Sequence, residues 1–183
     1  MFLGVPGSGK SFFARQLAEN INAVRLNGDS MRLAIFGSLE EIEKVYHSED
    51  RQRVNSYVFN AIDYAVRQVL SHGDSVVYDA HHNKRSIRAE LEQLAAKCGA
   101  VPVVVWIKTP YEVALNRGQQ REATEDQRQL SEEKMLESMN RHAASMDAPV
   151  KGENSIEISG ELPFEQQYAI FERELDLILS ATS

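Results

Sequence analysis

Apolar residues recur along this chain in two rhythms. Short runs at Phe2–Leu3, Ala23–Leu26, Ser75–Tyr78, Val101–Ile107 and Ser155–Ile158 have the length of strands. Between them, apolar side chains return every three or four residues, the helical period. The clearest such stretch is Val54 to Leu70, where Val54, Tyr57, Val58, Ala61, Ile62, Ala65, Val66, Val69 and Leu70 form one stripe that Ser71-His72-Gly73-Asp74 ends. Ile87, Leu91, Leu94 and Cys98 mark a second helix, ending at Gly99. Met135, Met139, Ala143 and Met146 mark a third, and Phe164, Tyr168, Phe171, Leu175 and Ile178 the last. The stripes are the expected core. Strand-length runs alternating with helical segments predict an α/β fold with a parallel sheet covered on both faces.

Composition adds limits. The chain has 183 residues, 43% hydrophobic and 26% charged, and is expected to form one domain over residues 1–183. No run of about 18 apolar residues could span a bilayer and no basic-then-apolar leader opens the chain, so a cytoplasmic location is expected. The one cysteine, Cys98, excludes an internal disulfide and falls on the apolar side of its helix, as a buried inert thiol would. A net charge of −7 argues against a broad grip on long nucleic acid, but leaves open a strand end or a small metabolite.

The first strong chemical signal is Gly4-Val5-Pro6-Gly7-Ser8-Gly9-Lys10-Ser11. Its spacing is that of a P-loop, in which glycines let successive N–H groups turn inward around phosphate. Lys10 would bring charge to the β- and γ-phosphates, and Ser11 a hydroxyl to Mg²⁺. The segment that follows, Ser11 to Asn20, has Phe13 and Leu17 one turn apart, so the loop opens onto a helix N-terminus that also favours an anion. The expected nucleotide-contacting set is Gly4, Pro6, Gly7, Ser8, Gly9, Lys10, Ser11 and Phe12, with ATP and Mg²⁺ as cofactors. Only Met1, Phe2 and Leu3 precede Gly4, whereas such a loop ordinarily follows a strand of about five residues. Either the first strand is short or native residues precede Met1.

In an open α/β sheet, ligands sit beyond the carboxyl ends of the strands. After the second strand comes Asn27-Gly28-Asp29-Ser30-Met31-Arg32, with Asp29 and Arg32 spaced to share one face of an opening helix. Asp29 could serve an acceptor hydroxyl or cap that helix. After the third comes Asp79-Ala80-His81-His82-Asn83, where Asp79 could hold Mg²⁺ directly or through water, or act as a cap. His81 and His82 lack the spacing and partners of a zinc site, and either could contact substrate.

GVPGSGKS, NGDSMR, VVYDAHHNKRSIRAEL, NRGQQR and APVKGEN together resemble P-loop kinases of the polynucleotide kinase and zeta-toxin type, among the AAA-like ATP-binding proteins of the P-loop NTPase superfamily. NGDSMR is also similar to an element of adenylylsulfate kinases. The resemblance implies a three-layer αβα fold with a five-stranded parallel sheet in the order 2-3-1-4-5 and a helical lid near residues 117–131. It implies transfer of the ATP γ-phosphate to a hydroxyl of a small molecule or nucleic-acid end, with Asp29 as general base and Arg32 holding the acceptor. His81 and His82 depart from the family's usual Thr-Asn pair.

The lid would carry Arg117 and Arg121 to the transferring phosphate; at i, i+4 they can point the same way, although Glu122, Glu125 and Asp126 could equally make this a solvated charged helix. By resemblance Pro149 to Asn154 packs near the adenine. Arg32, Arg51, Arg53, Lys84, Arg85 and Arg88 could supply phosphate contacts to a strand end, and Glu40 to Arg53 is the expected acceptor-side wall. An ATPase or nucleotide-dependent switch without an acceptor is the alternative, although no glutamate stands beside Asp79 to position water.

Overall fold

The computed structural model of the protein describes residues 1–120 and 131–182. In chain order these form β1 (Phe2–Leu3), α1 (Lys10–Asn20), β2 (Val24–Asn27), α2 (Gly28–Phe36), α3 (Leu39–Tyr46), α4 (Arg51–Ser71), β3 (Val76–Asp79), α5 (Arg85–Lys97), β4 (Val104–Lys108), α6 (Tyr111–Gln120), α7 (Glu132–Ala144), β5 (Ser155–Ser159) and α8 (Phe164–Thr182). All strand pairs are parallel, as alternating strands and helices require. Among the described residues no helix is long and apolar enough to cross a membrane.

The strand order corrects one expectation. Instead of a single ladder 2-3-1-4-5, the strands pair as β1-β4-β5 and as β2-β3. The reason lies at β1, which has two residues and pairs on one side with β4 through Phe2↔Val105 and Leu3↔Trp106. On its other side, the Phe2 carbonyl accepts from the His82 N–H at 3.1 Å and the Phe2 N–H donates to His82 Nδ1 at 3.2 Å. The turn after β3 thus satisfies the groups that a neighbouring strand would have taken.

Strand alternation divides the core into layers. Val77 points into a cluster with Phe2, Phe13, Val105, Ile107, Ile156, Ile158 and Phe171, covered by α1 and α8. Its neighbour Tyr78 points the other way, among Val58, Ile62 and Val66 of α4 and Leu91 of α5. Phe13 anchors the first layer, its ring centroid 6.3 Å from Phe2, 5.7 Å from Phe164 and 6.0 Å from Phe171. A third, small cluster of Ala114, Met135 and Met139 joins α6 to α7, so these methionines fill core.

The apolar stripes are narrower than the sequence pattern suggests. In α4 only Val58, Ile62 and Val66 are buried and Tyr57 is 61% exposed, because the helix meets the sheet along one line. Ile87 is likewise exposed, and Cys98 caps the end of α5, only half-buried.

Candidate active site

Between β1 and α1 the glycine loop folds as its spacing demands. Gly4, Gly7 and Gly9 have φ of 146°, 75° and 101°, conformations that side chains disfavour. Room matters as much as torsion. A Cβ at Gly4 would lie 2.7 Å from the Ile107 carbonyl and 2.9 Å from Ser8 Oγ, and one at Gly7 would strike the Ala114 carbonyl. Ser8 is fully buried and its carbonyl accepts from Thr109 Oγ1 at 2.8 Å, which ties the loop to the end of β4. Gly9 stands at the N-cap of α1 with no side-chain cap, leaving the first-turn amides for an anion. Lys10 curls over the loop, its Nζ donating to the Val5 carbonyl at 2.7 Å and Ser8 Oγ at 3.3 Å. Phe12 points outward, 57% exposed.

Asp79 is the polar centre beside this loop. The β2–β3 register sets Asn27 opposite Asp79, and the Asn27 amide donates to Oδ2 at 2.8 Å. Arg25 Nε donates to the same oxygen at 3.1 Å. The other oxygen, Oδ1, accepts from Ser11 Oγ at 3.1 Å. Only Oδ1 is therefore turned toward the P-loop, and with the Ser11 hydroxyl it forms a pair of hard oxygen donors suited to Mg²⁺. The cradle and this pair fit a Mg²⁺-bound triphosphate.

Asn27 has a second task that separates the two readings of Asp29. Its Oδ1 accepts from the Asp29 and Ser30 N–H groups, both at 2.9 Å, so Asn27 is the cap of α2. The Asp29 carboxylate is not needed there; it accepts from Arg32 Nη1 at 3.2 Å. Arg32 is buried, and its Nη2 donates to Asn55 Oδ1 of α4 at 2.5 Å. The rings of Phe59 and Tyr46 flank its guanidinium at 5.4 and 5.9 Å, and Arg51 lies 4.9 Å from the same Tyr46 ring. Asn27 was discoverable in sequence as an Asx residue before a helix. Asn55 carried no such signal, since only the packing of α2 on α4 brings it to Arg32.

The turn after β3 braces the loop more than it offers substrate contacts. His82 is buried, accepts from Phe2 N–H through Nδ1 and stands edge-on to Tyr78 with centroids 4.6 Å apart. Asn83 Oδ1 accepts from the Gly4 N–H at 3.2 Å. Arg88, expected to be available to a strand end, is fully buried instead. It donates to Glu153 Oε1 at 2.8 Å and Oε2 at 3.1 Å, and to the His82 and Asn83 carbonyls at 3.1 and 3.2 Å. Arg85 is committed as well, to Glu92 at 2.9 Å. Through Arg88 the segment 149–154 is fastened to α5.

His81 stacks on His142 of α7, centroids 4.4 Å apart and planes at 28°, a partner sequence reading missed because 60 residues of chain separate the two. Burial, reinforced by the charges of Lys10 and Arg141, pushes His142 down to about 4. His82 is held well below its ordinary value by burial, then by the N-terminal ammonium and Arg88. A histidine depressed on folding binds fewer protons in the native state, so stability rises with pH through this window. Thermal melts are expected to fall steadily as pH drops from about 6.5 toward 4. A melting temperature flat over that range would contradict both assignments.

On the far side, Arg117 Nη1 donates to the Gly160 carbonyl at 2.7 Å, at the turn between β5 and α8. Gly160 itself crowds against Ser8 and Thr109, where a Cβ would strike both. Arg117 therefore stands beside the P-loop wall. Arg121, Glu122, Glu125, Asp126 and Arg128, and with them most of the expected lid, lie outside the described residues.

The fold is shared with known proteins. A sugar kinase from Janibacter sp. HTCC2649, unliganded, matches over 96% of this chain and 92% of its own, with a TM-score of 0.66 and 22% identity. A gluconokinase from Sinorhizobium meliloti 1021 matches over 98% and 94%, with a TM-score of 0.62 and 18% identity. At such identities the likeness establishes the fold. Among curated protein sequences nothing matches significantly. The AAA domain family model matches residues 1–146, the stretch that carries the glycine loop, Asp29–Arg32 and Asp79, and the chain belongs to that family.

Proposed function

We propose that the protein is an ATP-dependent kinase that moves the γ-phosphate to a hydroxyl of a small polyhydroxy molecule, residues 1–183 acting as one P-loop kinase-like domain. One observation carries this reading. Asn27 both holds Asp79, the partner of Ser11, and relieves Asp29 of capping, so a carboxylate–arginine pair hangs from the same strand ends as the phosphate cradle. An ATPase needs no such pair.

Bound MgATP would supply the transferable phosphoryl group and much of the charge neutralisation. The N–H groups of Gly7, Gly9, Lys10 and Ser11 and the Lys10 ammonium would hold the phosphates, the Gly4 and Ser8 N–H groups being taken by Asn83 and the Val5 carbonyl, while Ser11 and Asp79 Oδ1 would hold the ion. Arg32, fixed by Asn55, orients the acceptor. Asp29 accepts the hydroxyl proton as the acceptor oxygen bonds to the γ-phosphorus and the bond to the ADP oxygen breaks. Arg117 and Arg121, by their place in the sequence, supply cations to the equatorial oxygens.

The two structural neighbours, a sugar kinase and a gluconokinase, favour a polyhydroxy acceptor over a nucleic-acid end. The net charge of −7 and the internal commitment of Arg85 and Arg88 point the same way. ADP release measured with ATP alone, then with aldoses, aldonates, nucleosides and a 5′-hydroxyl oligonucleotide, tests the reading. ADP is expected only with a sugar or sugar acid. Equal turnover without acceptor would point to an ATPase, and phosphorylation of the oligonucleotide to the polynucleotide kinase type.

A further inference from the structure

The stacked histidines join three parts of the chain that the chemistry above leaves unconnected. His81 leaves the end of β3, His142 sits in the last turn of α7, and Asn83 touches both the P-loop and α7. Asn83 Oδ1 is occupied by the Gly4 N–H at 3.2 Å, which turns its Nδ2 to His142 Nδ1 at 3.5 Å. An amide nitrogen can only donate, so this contact favours the tautomer in which Nδ1 presents its lone pair and, in the neutral ring, the proton resides on Nε2.

Two further observations associate this donor with the glycine loop. Burial lowers the pKa of both rings first; among the charges that lower them further Lys10 leads for each, followed at His81 by His142, His82 and Arg32 and at His142 by Arg141. The Lys10 ammonium lies over the glycine loop, on Val5 and Ser8. Both rings also remain reachable, His81 exposed and His142 half-buried.

We propose that His142 is a phosphate-binding residue: its Nε2–H, held in that tautomer by Asn83 and seated on the ring of His81, donates to the terminal phosphate of a nucleoside triphosphate in the P-loop. α7 thereby contributes to the phosphate site from the opposite wall, and His81 serves as the platform that fixes the imidazole plane. The proposal rests on the triphosphate reading of the glycine loop, not on the identity of the acceptor.

Titration calorimetry with Mg²⁺ and either the non-hydrolysable triphosphate AMP-PNP or ADP tests it without any acceptor. His142→Phe keeps a ring on His81 and removes the donor. It is expected to weaken AMP-PNP binding about tenfold while ADP stays within about twofold, the loss of one charge-assisted hydrogen bond to the terminal phosphate. His142→Gln, whose amide nitrogen falls near Nε2, should lose less than about threefold; His142→Asn, which reaches only the Nδ1 position, should behave like phenylalanine. Should His142→Phe fail to melt cooperatively, the asparagine and glutamine pair carries the comparison. Unchanged AMP-PNP affinity in both donor-less variants would overturn the proposal, as would an equal loss for ADP. Wild-type protein that binds neither nucleotide would overturn the triphosphate reading and this proposal together, whereas wild-type binding with unaltered variants overturns only the role of His142.

Discussion

Replacing Asp29 with asparagine is expected to slow phosphoryl transfer by about 10²- to 10⁴-fold, the usual contribution of a positioned general base. Nucleotide affinity should stay within about twofold, since a group acting on the acceptor proton adds little to ground-state nucleotide binding. The substitution is close to a pure test of proton acceptance. The amide oxygen that Asp29→Asn leaves in place of the carboxylate could still accept from Arg32 Nη1, so the 3.2 Å contact that orients the arginine survives. The start of α2 is also undisturbed, because Asn27 and not Asp29 accepts from the first-turn amides. Melting temperature should accordingly move by no more than about 2 °C. Steady-state kinetics with a productive acceptor, beside a nucleotide titration, checks both halves. If the variant transferred phosphate at the wild-type rate, Asp29 would be no base, and Arg32 alone would define the acceptor site.

The second large effect is on stability. Arg88→Met should lower the melting temperature by roughly 10 °C, from the about 3–5 kcal/mol lost when one partner of a buried pair is removed. Both Arg88 and Glu153 have fully buried side chains. Burial alone would raise the Glu153 carboxyl, but two hydrogen bonds from Arg88, the Val150 N–H and the charges of Arg88 and Arg85 outweigh it and hold the group below its ordinary value. Without Arg88, Glu153 keeps, among the described residues, Arg85 at 3.5 Å and the Val150 N–H, while the His82 and Asn83 carbonyls lose a donor. The P-loop should feel the loss, because those carbonyls belong to the residues that clasp Phe2 and Gly4. Adding Glu153→Leu should recover only part of the stability, since the orphaned carbonyls remain. A single variant that melted within about 2 °C of wild type would show that the pair bears little of the fold, a threshold set by the usual worth of about 1 kcal/mol.

Asp29 and Arg88 separate what periodicity and spacing reveal from what they conceal. The alternation of strand-length runs with helical stripes, and the glycine spacing from Gly4 to Ser11, are local patterns, and local patterns survive in sequence because each residue's conformational preference acts on its neighbours. So the α/β class, the phosphate cradle, and the candidacy of Asp29 and Asp79 were all legible in the order of residues. Arg88 shows the limit. As a charged residue in a basic segment it looked available to a phosphate, yet it is fully buried against a carboxylate 65 residues away. The order of the strands was concealed for a similar reason, since it turns on one imidazole, His82, filling the outer edge of a two-residue strand.

Residue order alone carried the fold class, the glycine loop and the candidates for chemistry beside it. Their contacts came from tertiary structure. It made Asn27 the cap and left Asp29 unburdened, drew Asn55 to Arg32, turned one oxygen of Asp79 toward Ser11, and stacked His142 on His81. Most of these are contacts between segments far apart in the chain, set by how helices pack on the sheet and by which buried polar groups must find partners. No window of neighbouring residues contains that information.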